Sequence, residues 1–266
     1  MNGLQKIKKI IKSTYINLVG NGQTPIFILG TGRCGSTLLV DMLMTNKALD
    51  INQQEQYDWF LTALPEGQKH KPLYTDLINY RLTADKSLAK WNWYYRKKLK
   101  VILDAKLNAN KKQFVLKSPA ITFILPEIKK MYPNAKYIHL YRHGVAVARS
   151  WAKKEYLNKV IYAKYYSEDE FVLKCAEYYN DSILEIEQFL EHIPQEDKYH
   201  ISYEKLSKSP KEELASLLNF IGVNTECAFD LNQIQSTNYK MDLLADDEKL
   251  HLEAIMQTAL SKLGYM

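Results

Sequence analysis

Residues 25–39 read PIFILGTGRCGSTLL, and this stretch decides the fold prediction. The apolar run at 26–29 has the length of a buried strand, and a glycine-rich loop follows it. An apolar helix is predicted to begin near Ser36. Unpaired backbone N–H groups and the positive end of the helix dipole converge where such a loop meets a helix. The segment therefore predicts an anion-binding cradle.

The loop departs from a nucleotide-binding P-loop at one position. The spacing Gly30-x4-Gly35-Ser36-Thr37 matches, but Ser36 stands where the P-loop has Lys, and a cation appears earlier, at Arg33. Kinases and NTPases use that Lys on the β- and γ-phosphates, so its loss argues against a nucleoside triphosphate. Residues 101–104 imitate a Walker B strand, but the apolar spacing and lysines around them favour an amphipathic helix.

The bulk composition is that of an ordinary globular protein. The chain has 266 residues, 46% hydrophobic content and a net charge of +6, which fits an anionic ligand or simply a lysine-rich surface. Three cysteines, Cys34, Cys175 and Cys227, cannot all pair, which favours a reducing cytoplasm. The sequence has no CxxC spacing that would indicate a metal site.

The first 24 residues form a basic amphipathic segment, separate from the single domain predicted for 25–266. Lysines alternate with apolar residues at helical spacing between positions 4 and 18. Such a segment either packs on its own domain or makes weak contact with a membrane surface, and no run is long enough to span a bilayer.

Strand-length apolar runs at 26–29, 114–116, 137–141 and 199–203 alternate with helical patterns. Residues 49–51 suggest one more short strand. This alternation predicts an α/β fold of the P-loop type, in which helices flank a parallel sheet and binding loops follow the carboxyl ends of the strands. Residues 86–112 are predicted to be a helical insert, and a tyrosine-rich segment follows at 156–166. Both either wall a substrate cleft or pack on the sheet.

Residues 114–151, FVLKSPAITFILPEIKKMYPNAKYIHLYRHGVAVARSW, form the second informative segment. One strand is predicted to end at Lys117 and the next at Arg142. A helix beginning near Gly144 then carries Ser150 on its second turn. The Arg, by its planar fork, and the Ser, by its hydroxyl, can grip one phosphate together.

Three blocks in this order make the chain resemble the PAPS-dependent sulfotransferases, whose sulfuryl donor is 3′-phosphoadenosine 5′-phosphosulfate (PAPS). GTGRCGSTLL at 30–39 is similar to their 5′-phosphosulfate loop, and KYIHLYRHGVAVARSW at 136–151 to their 3′-phosphate segment. YHISYEKLSKSPKEELASLLNFIGV at 199–223 resembles the block whose Tyr lies beside the adenine. LGY at 263–265 also resembles the ending of many bacterial members.

The resemblance implies donor-binding roles, with motifs closer to the tyrosylprotein type than to the cytosolic small-molecule type. The residues expected at the donor are Arg33, Cys34, Gly35, Ser36, Thr37 and Leu38 for the 5′-phosphosulfate, Arg142 and Ser150 for the 3′-phosphate, Tyr203 for the adenine, and Ser236 as a further phosphate contact. Cys34 stands where the family usually has Ser. Because it adjoins Arg33 and a helix N-terminus, its thiol pKa is expected to be lowered, which would allow a nucleophilic or redox role. A simple replacement of Ser is the preferred interpretation.

Lys117 and Arg33 are the candidates for neutralising charge on the leaving phosphate. The transferred SO3 carries less charge than a phosphoryl group, so these cations suffice and no metal is expected. The general base is less clear. Cytosolic members place a His two residues after the matching Lys, where this chain has Pro119. Tyrosylprotein-type members use a Glu about twenty residues beyond the loop Arg, which makes Glu55 the candidate and His70 an alternative.

The sequence thus predicts a sulfotransferase acting on a hydroxyl or amine of a small-molecule, lipid or peptide acceptor, without a nucleic-acid partner. Two alternatives stay open: a P-loop kinase using ATP, and a non-enzymatic binding protein with a sulfotransferase-like fold.

Overall fold

The computed structural model describes residues 24–52, 100–152 without 102, 106, 108–111 and 118, then 168–223, 228, 234 and 246–266. Its centre is a five-stranded sheet with the order β2-β3-β1-β4-β5. The strands are β1 (Ile26–Leu29), β2 (Leu49–Asn52), β3 (Gln113–Lys117), β4 (Lys136–Tyr141) and β5 (Lys198–Ser202). Every neighbouring pair is parallel, as the alternating sequence pattern predicts.

Eight helices have described bounds. They are α1 (Ser36–Met44), α2 (Leu125–Met131), α3 (Gly144–Ala152), α4 (Glu168–Glu191), α5 (Tyr203–Lys208), α6 (Pro210–Ile221), α7 (Asp246–Ile255) and α8 (Gln257–Lys262). Short 3-10 turns at Pro119–Ile124 and Gln195–Asp197 precede α2 and β5. The described residues in 100–107 are helical, which confirms that the Walker B imitation at 101–104 is not a strand.

Both faces of the sheet are covered, which explains why β1 is apolar along its whole length. Phe27 and Leu29 face a core shared with α2 and the carboxyl half of α4. Ile26 and Ile28 face the opposite core, built with α1 and α6. A third core joins α3, α4, α7 and α8 beside the sheet.

The strand predicted at 199–203 ends one residue early, and this changes the setting of Tyr203. The Ser202 hydroxyl accepts a hydrogen bond from the Lys205 N–H at 3.1 Å and so caps α5. Tyr203 is therefore the first residue of a helix. Because all five strands are parallel, the segments that follow β1, β3, β4 and β5 meet at one edge of the sheet.

Candidate functional site

The loop between β1 and α1 lies at the carboxyl edge of the sheet. Gly30 (φ 153°), Arg33 (φ 65°) and Gly35 (φ 99°) all have positive φ, so the chain turns sharply between strand and helix. A Cβ on Gly30 would lie 2.4 Å from the Leu140 carbonyl oxygen, which shows how closely the loop packs on β4. Gly35 is the N-cap of α1 and offers no side-chain cap to its N–H groups. These are the features of an anion cradle.

Tyr203 lies directly over the loop. A Cβ on Gly35 would come within 2.1 Å of the Tyr203 ring, so only glycine allows this approach. The same ring lies 4.7 Å from the Arg142 guanidinium carbon, a cation–π contact. The structure thus brings together the loop, the predicted adenine neighbour and the predicted 3′-phosphate ligand.

Arg142 follows β4 directly and is only 8% exposed. Its carbonyl oxygen accepts a hydrogen bond from the Tyr179 hydroxyl at 2.8 Å. Its Nε is buried and has no hydrogen-bond partner among the described residues. A buried guanidinium N–H without a protein partner is costly, and an anionic ligand would satisfy it.

Arg33 connects the two predicted phosphate sites. Its Nε donates to the Ser150 hydroxyl at 3.0 Å, although the resemblance assigns Arg33 to the 5′ end of the donor and Ser150 to the 3′ end. Ser150 lies on α3 and is buried, whereas Arg33 as a whole is exposed. The two sites are therefore parts of one continuous basic edge.

Lys117 is the last residue of β3 and pairs in register with Ile28, just before the loop. It is 6% exposed. Its charge is close enough to Cys34 to act on the pKa of that thiol. A buried ammonium group at a strand end beside an anion cradle can neutralise charge that develops during a reaction.

The expected lowering of the Cys34 pKa is wrong. Burial is the largest effect and raises the pKa of the thiol, and hydrogen bonds involving Ser36 together with the Lys117 charge offset it only in part. The side chain is fully buried beneath the loop, so it packs as a small apolar group. Thr37 is exposed, and Ser36 and Leu38 are half-buried.

Three predicted site residues lie outside the described part of the chain: Glu55, His70 and Ser236. The same holds for residues 1–23, the segment 156–166 and most of 86–112. The general base, the tentative Ser contact and the N-terminal surface segment therefore stay predictions.

Sequence reasoning missed the side chains that contact the backbone next to Arg142. Glu204 accepts hydrogen bonds from the His143 backbone N–H at 3.0 Å and from the Tyr265 hydroxyl at 2.6 Å. Glu253 on α7 faces the His143 ring, with 3.7 Å between Oε1 and Nε2. Glu204 directly follows Tyr203, a predicted site residue, so its place in the sequence indicated that it lies near the site. No sequence pattern pairs it with Tyr265.

A second polar cluster lies away from this edge. His139 on β4 and His200 on β5 are register partners, and both approach Glu187 on α4. The separations from Glu187 Oε1 are 2.6 Å to His139 Nδ1 and 2.9 Å to His200 Nε2. These three residues also have the chemistry of a metal ligand set. However, ligands about 2.1 Å from a tetrahedral metal lie more than about 3 Å apart, so the observed separations indicate hydrogen bonds.

The histidines make stability depend on pH. Burial lowers the pKa of His139 below its ordinary value of 6.5 and does the same for His143. Unfolded histidines take up protons near pH 6.5 and the folded ones only at lower pH, so stability is full above pH 6.5 and falls below it. We expect the free energy of unfolding to drop between about pH 7.5 and pH 5.5. Urea titrations at both values measure this.

His139→Asn should reduce this pH dependence, and His192→Asn, at the exposed end of α4, is the matched control. A His139→Asn protein with the full wild-type dependence would contradict the assignment.

Further acidification should remove more stability between pH 4.5 and about 2. Burial alone would raise the pKa of Glu187, but the hydrogen bonds from His139 and His200 outweigh it and lower the pKa to about 2.

No helix in the described ranges is both long and apolar enough to cross a bilayer.

Comparison with known proteins connects this geometry to a family. Residues 25–226 match the profile described as "Sulfotransferase family". The omega-hydroxy-beta-dihydromenaquinone-9 sulfotransferase of Mycobacterium bovis is 22% identical over 255 residues, covering 76% of this chain and 64% of that protein. A putative protein-tyrosine sulfotransferase of Caenorhabditis elegans is 28% identical over 135 residues, covering 51% and 46%. The chain thus spans less than two thirds of the length of these relatives.

Solved structures share the fold. The sulfotransferase domain from the curacin biosynthetic pathway superposes with a TM-score of 0.58 at 21% identity, covering 92% of this chain and 98% of that one. Retinol dehydratase in complex with androsterone and inactive cofactor PAP gives a TM-score of 0.50 at 12% identity, covering 95% and 85%. At these identities the likeness shows the shared α/β fold alone.

Proposed function

Since this chain belongs to the sulfotransferase family, we propose that it transfers a sulfuryl group from PAPS to a hydroxyl or amine of an acceptor. One observation carries the proposal: Tyr203 lies over the Gly35 loop and against the Arg142 guanidinium. This places a π surface between a cradle for one anion and a buried cation for another. PAPS carries a 5′-phosphosulfate, a 3′-phosphate and an adenine on one ribose, so it can offer one anion to the loop, the other to Arg142 and the base to Tyr203, whereas ATP has no 3′-phosphate for Arg142.

The reaction breaks the bond between sulfur and the bridging phosphate oxygen and forms a bond from sulfur to the acceptor atom. The acceptor proton leaves to a general base, for which Glu55 is our first candidate and His70 the second. Negative charge grows on the bridging oxygen as its bond to sulfur breaks. Lys117 and Arg33 are the cations proposed to neutralise it, and the N–H groups at the start of α1 would hold the phosphate in line.

We propose an acceptor that is a small molecule, a lipid or a peptide. The two relatives named above act, by their names, on a menaquinone derivative and on protein tyrosine, so the family supports both classes.

The free thiols of Cys34 and Cys175 also suit the reducing cytoplasm that we propose as the location of this protein.

Calorimetry with adenosine 3′,5′-bisphosphate (PAP), AMP and ATP tests the donor assignment. We expect PAP to bind more tightly than either of the others. Arg142→Ala should weaken PAP binding by about 30- to 100-fold, because one charge-assisted contact to phosphate is lost, and should leave AMP binding almost unchanged.

Arg149→Ala is the matched control for Arg142→Ala. Arg149 lies on α3 beside Ser150, but its guanidinium pairs with Glu248 on α7 at 2.8 Å. The Arg149→Ala variant should bind PAP like the wild type. Tighter binding of ATP than of PAP would contradict the proposal and favour the kinase alternative. If PAP binds but a lysate supplied with PAPS never yields a product heavier by one SO3, the non-enzymatic alternative stands.

A further inference from the structure

We propose that Glu204 and Tyr265 are positioning residues for the 3′-phosphate site. They hold the backbone at Arg142 and His143 so that the Arg142 guanidinium is already in place when the donor arrives. This inference rests on the proposed function, because it concerns the same site. It adds two residues whose side chains contact the residues on either side of Arg142.

Glu204 fixes the backbone on the far side of Arg142. One carboxylate oxygen accepts the His143 N–H at 3.0 Å, and the other accepts the Tyr265 hydroxyl at 2.6 Å. A carboxylate that accepts one hydrogen bond on each oxygen has a restricted orientation. Glu204 itself lies in the first turn of α5, a helix capped by Ser202, so its backbone is fixed by β5.

Tyr265 also packs against both neighbours of Arg142. Its ring meets the His143 ring edge-on at 4.9 Å between centroids, and the Tyr141 ring at 6.0 Å. The turn that ends α8 places the Tyr265 ring against these two neighbours. Gly264 has φ 75°, and the Tyr265 N–H returns to the Leu260 carbonyl at 2.9 Å. The tyrosine is therefore placed by a helix end rather than by a free tail.

The Arg142 backbone is consequently held from two directions. Glu204 binds the N–H of the next residue, and the Tyr179 hydroxyl binds the Arg142 carbonyl oxygen. A Cβ on Gly144 would lie 2.7 Å from the Tyr179 ring, so this side is closely packed as well. The guanidinium, in contrast, has a buried Nε that bonds to none of the described residues. A rigid backbone that carries an unsatisfied cationic donor is preorganised for an anion.

The charges around Glu204 support a positioning role. Its carboxylate accepts from an uncharged backbone N–H and an uncharged phenol, and a second carboxylate, Glu253, lies 3.7 Å from Nε2 of His143. Burial and the Glu204 charge raise the pKa of the Tyr265 hydroxyl, so it stays protonated and remains a donor at neutral pH.

Tyr265→Phe tests the inference, because it removes one hydroxyl and keeps the ring. We expect the Kd for PAP to rise about 5- to 20-fold, the Kd for AMP to change less than about twofold, and kcat at saturating PAPS to stay within about twofold of wild type. The ratio of the two Kd values is the critical readout, because general loosening of the protein would weaken both ligands alike.

Two further variants complete the experiment. Glu204→Gln keeps an acceptor for the His143 N–H, so it should lose less PAP affinity than Glu204→Ala. Tyr199→Phe is the matched control, since Tyr199 on β5 bonds to Ser216 on the other side of the sheet, and it should behave like the wild type. Equal losses for PAP and AMP, or no loss for PAP, would overturn the positioning role. A wild-type protein that does not prefer PAP over AMP would instead overturn the proposed function.

Discussion

Lys117→Ala is expected to lower kcat by a factor of about 100 to 1000 while changing the Kd for PAP far less. The reason is that the ammonium group interacts most strongly with charge that exists only as the sulfur–oxygen bond breaks. Its position at the end of β3, beside Ile28 and 6% exposed, keeps it close to the loop and away from bulk water. A charge–charge interaction is stronger in such surroundings than in solvent. Single-turnover kinetics with PAPS and any acceptor found in the lysate screen would measure the effect.

Two companions sharpen the Lys117 experiment. Lys117→Arg keeps the charge and should recover part of the rate. Lys130→Ala removes an exposed lysine of α2 that pairs with Glu127, and it should leave kcat unchanged. If Lys117→Ala retains more than about half of the wild-type kcat, the leaving-group role is wrong.

Gly35→Ala is expected to remove most of the donor affinity and to destabilise the fold. The left-handed backbone at φ 99° costs a non-glycine residue about 1–2 kcal/mol by itself. In addition, the new methyl group would lie 2.1 Å from the Tyr203 ring. The ring must move, and with it the surface that contacts the Arg142 guanidinium. PAP binding should therefore fall by more than about tenfold, beyond what lost stability explains.

Gly222→Ala provides the matched control for that prediction. Gly222 ends α6 with φ 86°, but a Cβ there would meet nothing within 4 Å. Both variants should lower the free energy of unfolding through backbone strain, and only Gly35→Ala should affect PAP. Similar PAP affinities in the two variants would show that the Tyr203 contact does not matter. Chemical denaturation and calorimetry on the same samples separate the two quantities.

The sequence allowed the sheet to be predicted because each strand has a local signal. Fully apolar runs such as 26–29 are what a strand covered on both faces requires, and the turn at 132–134 separates α2 from β4. The boundary at Tyr203 was less predictable. A Tyr favours a strand by propensity, but the Ser202 cap starts a helix there.

The site residues near the loop were predictable because parallel strands place their carboxyl ends together. Contacts between residues far apart in the sequence were not predictable. Nothing in the local pattern pairs Arg33 with Ser150 or Glu204 with Tyr265, since each contact depends on how whole helices pack. The expected pKa of Cys34 was wrong for a related reason. Its neighbours argue for a lowered thiol pKa, and only the tertiary structure shows that the side chain is buried.

The central position of β1 has a consequence for how the protein folds. Ile26 is registered with Val115 on one side and with Lys136 on the other, so no hairpin brings the middle of the sheet together. Long stretches of chain must close before these pairings stabilise anything, and such topologies fold slowly. We therefore expect the cradle after β1 to become competent late, when β3 and β4 have both docked. Recovery of PAP binding during refolding should follow the slowest kinetic phase, so ligand binding would report completed folding rather than early collapse.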